Sequence, residues 1–336
     1  MSNEYKLPFS DKPLVTCFHN MAFPLGVIEG NANNLDLDIT PWVISKFLNP
    51  IFVETPEKIT YDICLVDKWG IDEGILFYQF INMFKRIYDN LNFDIAEYLS
   101  KMIREGCYVI GTYNEKYIPG KADYQNGDFM HDYILYGVDE ERKVFYSAGY
   151  LKDRKYQSYE ISFSDFIKSI YNTPGDRIQF GFRTYNNEYQ YCFNKERIVQ
   201  ELTDYLNSTT YHGLKENAFY GMEANRKLKE YFLSTVHKNG NSRLDLRYTR
   251  AYMEHKYFMN LCIEYLIDNN LVDATKINFK KAKELYQDAV RIHILGIKME
   301  ISKNYKIIDK IADLFDKIQE EESQMIRYVI EAMGDK

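Results

Sequence analysis

Two side chains in this sequence, Cys17 and His131, are of the types that together perform nucleophilic catalysis. Cys17 directly follows Thr16, a favourable N-terminal cap for a helix, and precedes the mostly apolar stretch 17–29. A cysteine in the first turn of a helix faces unpaired backbone N–H groups and the positive end of the helix dipole, and both favour the reactive thiolate. The same N–H groups can hold an oxyanion. The sequence therefore predicts Cys17 as a nucleophile.

His131 is the predicted base. It opens the segment 131–138, which is rich in β-branched and aromatic residues, after a polar loop containing Gly127 and Asp128. A histidine at the start of a strand can project its imidazole into a cleft and there accept a proton. Each residue alone also has a structural interpretation, because free cysteines are commonly buried and many histidines are surface residues. The remaining histidines lie in helical patterns, which predicts solvated or capping roles for His19, His212, His237, His255 and His293.

Short strand patterns surround His131 and must position it. They predict strands over 107–113, 131–138, 143–150, 156–163 and 177–185, and the four-residue loop 139–142 suits a hairpin. A short helix opens at Ser164 and stops before Pro174. Helical spacing predicts further helices over 71–89 and 93–104, and one from residue 17 that Pro24 kinks or ends.

After about Tyr191 the pattern changes to helical periodicity throughout. It predicts helices over 194–209, 211–236, 245–269, 276–303 and 305–332. We therefore place a domain boundary near residue 190. The expected fold class is α+β, with a Cys/His domain built on an antiparallel sheet over 1–190 and an all-helical domain over 191–336.

Composition excludes several classes of protein. Apolar residues make up 46% and charged residues 27%, as in a globular protein. The net charge is −7 and no basic stripe suits a phosphate backbone, so we expect no nucleic-acid partner. No apolar run approaches the roughly 18 residues of a membrane span, and residues 1–16 lack the pattern of a signal peptide. The five cysteines form no CxxC pair, which predicts free thiols, no Cys-rich zinc site and a cytoplasmic location. No His-Glu-x-x-His spacing occurs either, and we expect no metal and no cofactor.

The flanking sequences of both residues resemble a known family. The segments that carry the likeness are Cys17-Phe18-His19-Asn20 with Gly30 further on, Tyr117-Ile118-Pro119, the run His131–Asp139, Tyr220-Gly221-Met222-Glu223-Ala224 and His255-Lys256-Tyr257-Phe258-Met259. In this order they resemble papain-like cysteine domains of the bacteriocin-leader-peptidase type. More closely, they resemble the N-terminal-domain family of the butirosin-pathway acyltransferase. The likeness covers most of the chain through short motifs.

That resemblance implies a papain-like fold and a cysteine-dependent acyltransferase, an amide synthase of thiotemplated secondary-metabolite biosynthesis. The Cys17 thiolate would take an acyl chain from a thioester on the phosphopantetheine arm of an acyl carrier protein. His131 would then remove a proton from an amine or diamine acceptor as the amide forms. Two alternatives stay open: a cysteine peptidase or thioesterase that uses the same dyad, and a catalytically inactive binding module.

The sequence departs from the papain-like pattern in two places. The Asp or Asn that orients the catalytic histidine would fall near Ala148-Gly149-Tyr150, where no carboxylate or amide stands. Asp153 is a possible orienter, and it also suits a solvated turn. Asp11 replaces the glutamine usual about six residues before the nucleophile, so a second oxyanion donor is needed, and Asn20 is a candidate. Both gaps weaken a peptidase more than an acyltransferase, because a thioester is already activated.

Overall fold

The computed structural model describes residues 3–63, 74–90, 93–210, 216–239, 244–273, 275, 277 and 279–334. The strands are β1 (Glu4–Lys6), β2 (Ile51–Glu54), β3 (Ile59–Asp62), β4 (Leu76–Phe84), β5 (Tyr108–Asn114), β6 (Met130–Asp139), β7 (Val144–Tyr150), β8 (Tyr156–Ser162), β9 (Arg177–Tyr185) and β10 (Ala218–Tyr220). The helices are α1 (His19–Asn34), α2 (Thr40–Val43), α3 (Lys85–Asn90), α4 (Ile95–Arg104), α5 (Phe163–Tyr171), α6 (Lys195–Asn207), α7 (Gly221–Asn239), α8 (Leu246–Asp268), α9 (Phe279–Ser302) and α10 (Ile307–Gly334). One 3-10 turn spans Glu115–Tyr117.

The chain divides into two units that interleave along the sequence. The first unit combines Met1–Leu37 with Asp72–Gln190, and the second combines Asp38–Ile71 with Tyr191–Lys336. The division at Tyr191 lies next to the predicted boundary, but the predicted first domain 1–190 wrongly includes segment 38–71. Contacts with residues far away in the sequence hold that segment in the second unit, and local patterns cannot reveal such contacts. For example, His255 Nε2 donates to the Leu48 carbonyl at 3.0 Å, and the Tyr61 hydroxyl donates to Asn225 Oδ1 at 2.7 Å.

The first unit is built on one antiparallel sheet. Its strand order is β4-β9-β5-β6-β7-β8, and β1 pairs with the second half of β6. Strands β6 and β7 form a hairpin around residues 140–143, so the predicted hairpin is confirmed. Every strand pairing in the described ranges is antiparallel. The described part of the chain is therefore α+β with antiparallel sheets, as predicted.

Helix α1 packs on the same sheet and directly follows the segment that contains Cys17. Asn31 Nδ2 donates to the Tyr108 hydroxyl at 2.8 Å, which ties the helix to β5. The helix also touches the backbone at Phe9, where a Cβ on Gly30 would lie 2.4 Å from the Phe9 nitrogen. Only glycine allows an approach this close. Both contacts lie in the last two turns of α1 and hold the C-terminal end of the helix close to the sheet.

The start and the course of α1 differ from the prediction. The helix begins at His19 with Phe18 as its N-cap, so Thr16 is not the cap and Cys17 lies just outside the first turn. Pro24 does not end the helix, because α1 continues to Asn34. A proline inside a helix costs about 3 kcal/mol. Residues 21–28 are all buried, and each large apolar side chain among them contributes about 1.5–3 kcal/mol, which outweighs that cost.

The helix predicted over 71–89 is wrong over most of its length. Residues 71–73 lie outside the described residues, and Leu76–Phe84 form strand β4. This strand pairs with β9 along all its nine residues, from Leu76 opposite Tyr185 to Phe84 opposite Arg177. Such a long antiparallel ladder is a tertiary interaction, and it overrides the helical spacing of the apolar residues. Helix α3 begins only at Lys85.

The second unit contains helices α6–α10 where the sequence predicts helices, together with a small sheet of order β10-β2-β3. Strand β10 lies inside the segment 211–236 that was expected to be helical, so the prediction of an all-helical domain is wrong. Ala218–Tyr220 pair with Ile51–Val53, more than 160 residues earlier in the chain, and periodicity cannot show such a partner. No helix in the described ranges has the length and apolar character that crossing a membrane requires.

A buried polar network joins several helices of this unit. Lys256 Nζ lies 2.5 Å from Glu322 Oε2 and donates to the Tyr205 hydroxyl at 2.9 Å, and all three side chains are buried. Burial lowers the pKa of Lys256, while the charge of Glu322 opposes that shift. Breaking such a pair leaves an uncompensated buried charge, so the network favours one arrangement of α6, α8 and α10.

Candidate functional site

His131, the second residue of β6, is held by a carboxylate that the sequence analysis did not single out. Its Nδ1 lies 2.7 Å from Glu115 Oε1. An ionised carboxylate only accepts hydrogen bonds, so Nδ1 carries the proton and Nε2 keeps its lone pair. The His131 side chain is 34% exposed, whereas that of Glu115 is 5% exposed. This arrangement gives an imidazole that can accept a proton at Nε2, oriented by a buried acid.

The sheet register places Glu115 beside His131. Tyr113 of β5 pairs with His131 of β6, and the Glu115 N–H donates to the Phe129 carbonyl at 2.9 Å. Asn114 fixes the turn that follows β5, because its Oδ1 accepts from Lys116 N–H at 3.2 Å and from Phe129 N–H at 3.3 Å. Alternate residues of a strand share a face. The carboxylate therefore projects from the same face of the sheet as the imidazole.

Lys121 lies against the same carboxylate. Its Nζ is 3.6 Å from Glu115 Oε1 and donates to the Tyr150 carbonyl at 2.8 Å, and its side chain is 1% exposed. The ammonium group also stands 4.5 Å from the centroid of the Tyr159 ring. Lysine is almost never fully buried unless it is paired. Lys121, Glu115 and His131 thus form one connected polar cluster at the open end of the β6–β7 hairpin, away from its turn.

His19, the first residue of α1, packs directly on His131. The two imidazoles stack with centroids 4.3 Å apart, and Phe23 stacks on His19 at 4.6 Å. His19 is buried, and in the described structure neither of its ring nitrogens has a hydrogen-bond partner. Burial holds the pKa of His19 well below its usual range, and the charges of His131 and Lys121 lower it further. The expectation of a solvated or capping role for His19 is therefore wrong: it is a neutral ring behind His131.

Cys17 is buried in the segment that leads into α1. On one side of it, the Thr16 carbonyl accepts a hydrogen bond from the Tyr150 hydroxyl at 2.6 Å. On the other side, two residues later, His19 stacks on His131. The backbone around Cys17 is therefore tied at both ends to the part of the sheet that carries His131. That the Cys17 sulfur and the His131 imidazole lie within roughly 3–4 Å stays a prediction.

Of the other predicted site residues, Asp153 does not orient His131. It is exposed, and its carboxylate accepts from Lys155 N–H at 3.1 Å and from Gln157 Nε2 at 3.1 Å, as a turn residue does. Asn20 lies half-buried in the first turn of α1, and its role as an oxyanion donor stays a prediction. Because Cys17 precedes the helix, the N–H groups of that first turn belong to the residues that follow it.

The contacts at Gly149 explain why no orienting residue stands at the expected place on β7. A Cβ at this position would lie 3.3 Å from His19 Nε2 and 3.3 Å from Lys121 Nζ. Those two groups already fill the space that an orienting side chain needs. The acid comes instead from the end of β5, on the other side of β6. The signal in the sequence was Asn114-Glu115 directly after the predicted strand 107–113, but it becomes readable only once that strand is paired with 131–138.

Glu115 and Asp153 offer a direct comparison of two carboxylates. We expect Glu115→Gln to slow alkylation of Cys17 by iodoacetamide roughly 10- to 150-fold, because a hydrogen bond to a charged group contributes about 1.5–3 kcal/mol. Asp153→Ala is the matched control and should change the rate less than about twofold, since an exposed turn residue contributes little. Alkylation rates of both variants, followed by intact mass, test this. Equal rates for the two variants would contradict the role of Glu115.

Within the described ranges, no group of three or more His, Cys, Asp or Glu side chains is arranged to hold a metal ion. A scan against protein-family models finds no family that matches this chain. A search of curated proteins likewise finds no significant match. The candidate functional site is therefore the cluster of His19, Glu115, Lys121 and His131 in the first unit, with Cys17 on the neighbouring backbone.

Proposed function

We propose that this protein is a cysteine-dependent acyltransferase with a papain-like catalytic unit. It moves an acyl chain from a carrier-protein thioester to an amine or diamine and forms an amide. The observation that carries the proposal is the 2.7 Å contact between His131 Nδ1 and Glu115, which prepares Nε2 as a base. The ties of Thr16 to Tyr150 and of His19 to His131 support the placement of Cys17 at this base.

In the first half-reaction His131 Nε2 takes the proton of the Cys17 thiol, and the resulting thiolate attacks the thioester carbonyl carbon. The bond from that carbon to the carrier sulfur breaks, and the phosphopantetheine thiol leaves with the proton that His131 Nε2 held. The Cys17 N–H and Asn20 are the proposed donors to the oxyanion. The product is an acyl chain bonded to the Cys17 sulfur, with a neutral imidazole beside it.

In the second half-reaction the amine attacks the same carbonyl carbon. His131 Nε2 takes the proton of the amine, the bond from carbon to the Cys17 sulfur breaks, and the amide leaves. Glu115 stabilises the imidazolium that forms, because it accepts the hydrogen bond from Nδ1 throughout. The same orienting acid supports an active enzyme over an inactive binding module, because a module that only binds does not need an oriented base.

Hydrolysis by the same dyad is the second candidate. The specific observation in its favour is the 34% exposure of the His131 side chain, which lets water reach the base. Water in place of the amine would release a free acid, as in a thioesterase or peptidase. Transfer requires the amine to compete with water for the acyl-enzyme.

Incubation with an acyl thioester of phosphopantetheine, with and without 1,3-diaminopropane, tests the choice. We expect amide to form with the diamine, and acyl-Cys17 to accumulate without it because the amine is the preferred acceptor. Mass spectrometry of small-molecule products and of the intact protein measures both. Free acid at the same rate with and without diamine would contradict transfer and favour hydrolysis.

A further inference from the structure

The buried Lys121 lies beside the carboxylate that orients His131, and its burial needs a physical explanation. Lys121 has a 1% exposed side chain, and its ammonium group shares Glu115 Oε1 with His131: Nζ lies at 3.6 Å from that oxygen and Nδ1 at 2.7 Å. Desolvating an ammonium group costs several kcal/mol unless it is well paired. Glu115 could orient His131 through Nδ1 without any lysine. The chain nevertheless places the ammonium group on the same oxygen.

The two partners of that oxygen compete electrostatically. An ionised carboxylate next to a histidine raises the affinity of the imidazole for a second proton, by one to three orders of magnitude at about 4–6 Å. A positive charge on the same carboxylate opposes this effect. The ammonium charge of Lys121 therefore offsets part of the attraction that the Glu115 carboxylate exerts on a second proton at His131. The hydrogen bond that orients the ring through Nδ1 is kept.

We propose that Lys121 is a positioning residue that acts through Glu115 and limits the proton affinity of His131, so that Nε2 stays available as a base. This role of Lys121 rests on the proposed function, in which His131 is the base. The electrostatic effect of Lys121 on His131 does not depend on which reaction occurs. Without Lys121, the Glu115–His131 pair takes up a proton at higher pH. The imidazole would then reach the second half-reaction already protonated and unable to accept the proton of the amine.

Other titratable groups face this cluster, and of these only Lys116 is substituted in the variants used below. From α1 the neutral ring of His19 covers one face of His131, and on β6 the Asp132 side chain contacts Thr112 Oγ1 at 3.4 Å. The phenols of β5, β7 and β8 nearby are Tyr113, Tyr150, Tyr156 and Tyr159; burial raises the pKa of Tyr113 and Tyr156 well above the usual value. Lys116 pairs with Asp128 at 3.2 Å in the exposed part of the loop.

The test is an NMR titration of His131 in full-length protein that carries Cys17→Ala, which removes coupling to the thiol. Lys121→Met keeps the apolar stem and removes the charge, and Lys121→Gln also keeps a donor for the Tyr150 carbonyl. We expect both to raise the titration midpoint of His131 by about one pH unit. Lys116→Met is the matched control: the side chain of this lysine is 36% exposed, against 1% for Lys121, and solvent screening should hold the shift below about 0.3 units. Glu115→Gln, with Lys121 retained, should lower the midpoint.

Unchanged midpoints in the Lys121 variants would overturn the proposal, as would an equal shift in Lys116→Met. If neither Lys121 variant folds, the Glu115→Gln variant tests the proposal. An unchanged midpoint in that variant means that the charges of Glu115 and Lys121 do not act on His131. Acyl loading of the unsubstituted protein is measured in parallel. A protein that takes up no acyl chain refutes the proposed reaction, while the NMR shifts still decide the role of Lys121.

Discussion

Cys17→Ala is expected to abolish acyl loading and amide formation together. The acyl chain needs a nucleophile beside His131, and Cys17 is the cysteine whose flanking backbone is tied there, through Thr16 to Tyr150 and through His19 to His131. Both half-reactions pass through the bond to its sulfur, so removing the sulfur removes both. Intact-protein mass spectrometry after incubation with an acyl thioester measures the loading, and chromatography of the amide measures the transfer.

The other thiols provide matched controls. Burial raises the pKa of Cys262 to about 12 and also raises the pKa of Cys107, so both stay protonated and poorly nucleophilic near neutral pH. Cys192 is exposed and lies in the second unit, and Cys192→Ala should load acyl chain as the unsubstituted protein does. Cys64 lies outside the described residues and is substituted as a further control. A Cys17→Ala protein that still gains the acyl mass would rule out covalent catalysis by this residue.

Amide formation at an undiminished rate in Cys17→Ala, without acyl loading, would point to a different mechanism. The protein would then align the carrier thioester and the amine for direct aminolysis, and proximity alone would supply the acceleration. The two measurements separate these cases because loading reports the covalent bond and amide formation reports the overall reaction.

The parts of the fold that the sequence predicted correctly are those fixed by local signals. The β6–β7 hairpin has a four-residue connection, and both strands carry dense aromatic and β-branched residues, so neighbouring residues contain the information. Helices α8–α10 are long, and their periodicity is repeated over several turns. In contrast, β4 and β10 form strands because they pair with strands distant in the sequence, β4 with β9 and β10 with β2. Short-range spacing carries no information about such partners.

The candidate site divides in the same way. Cys17 and His131 could be proposed because each stands next to a recognisable element boundary. Glu115 and Lys121 could not be proposed, because both lie in the connection between β5 and β6. The sequence does not show the pairing of Tyr113 with His131 that brings this connection to the imidazole. The sequence suggests Asp153 only because it lies shortly after Ala148-Gly149-Tyr150, where the orienting residue is expected. The structure shows that His19 and Lys121 occupy that position, at Gly149, so the acid has to come from another strand.

His131→Ala is expected to lower the rate of amide formation by about two to four orders of magnitude, the usual effect of losing a general base. The loss should exceed that of Glu115→Gln, because Glu115 acts only through the imidazole. His293→Ala is the matched control. His293 is a half-buried histidine of the second unit that contacts Thr249 Oγ1 at 2.8 Å, and burial lowers its pKa to about 4. That variant should form amide at close to the unsubstituted rate.

Added imidazole provides the decisive second measurement. The His131 side chain is 34% exposed, so its removal leaves a space that opens to solvent, lined by the His19 ring and the Glu115 carboxylate. Imidazole from solution can enter that space, donate to Glu115 and accept the proton of the amine, and we expect it to restore part of the rate in His131→Ala. The restored rate should rise with pH as the added imidazole loses its charge, whereas the protein carrying both His131→Ala and Glu115→Gln should recover less. A His131→Ala protein that keeps a near-normal rate, or a loss that imidazole never reverses together with a lowered melting temperature, would show that His131 supports the fold and is not the base.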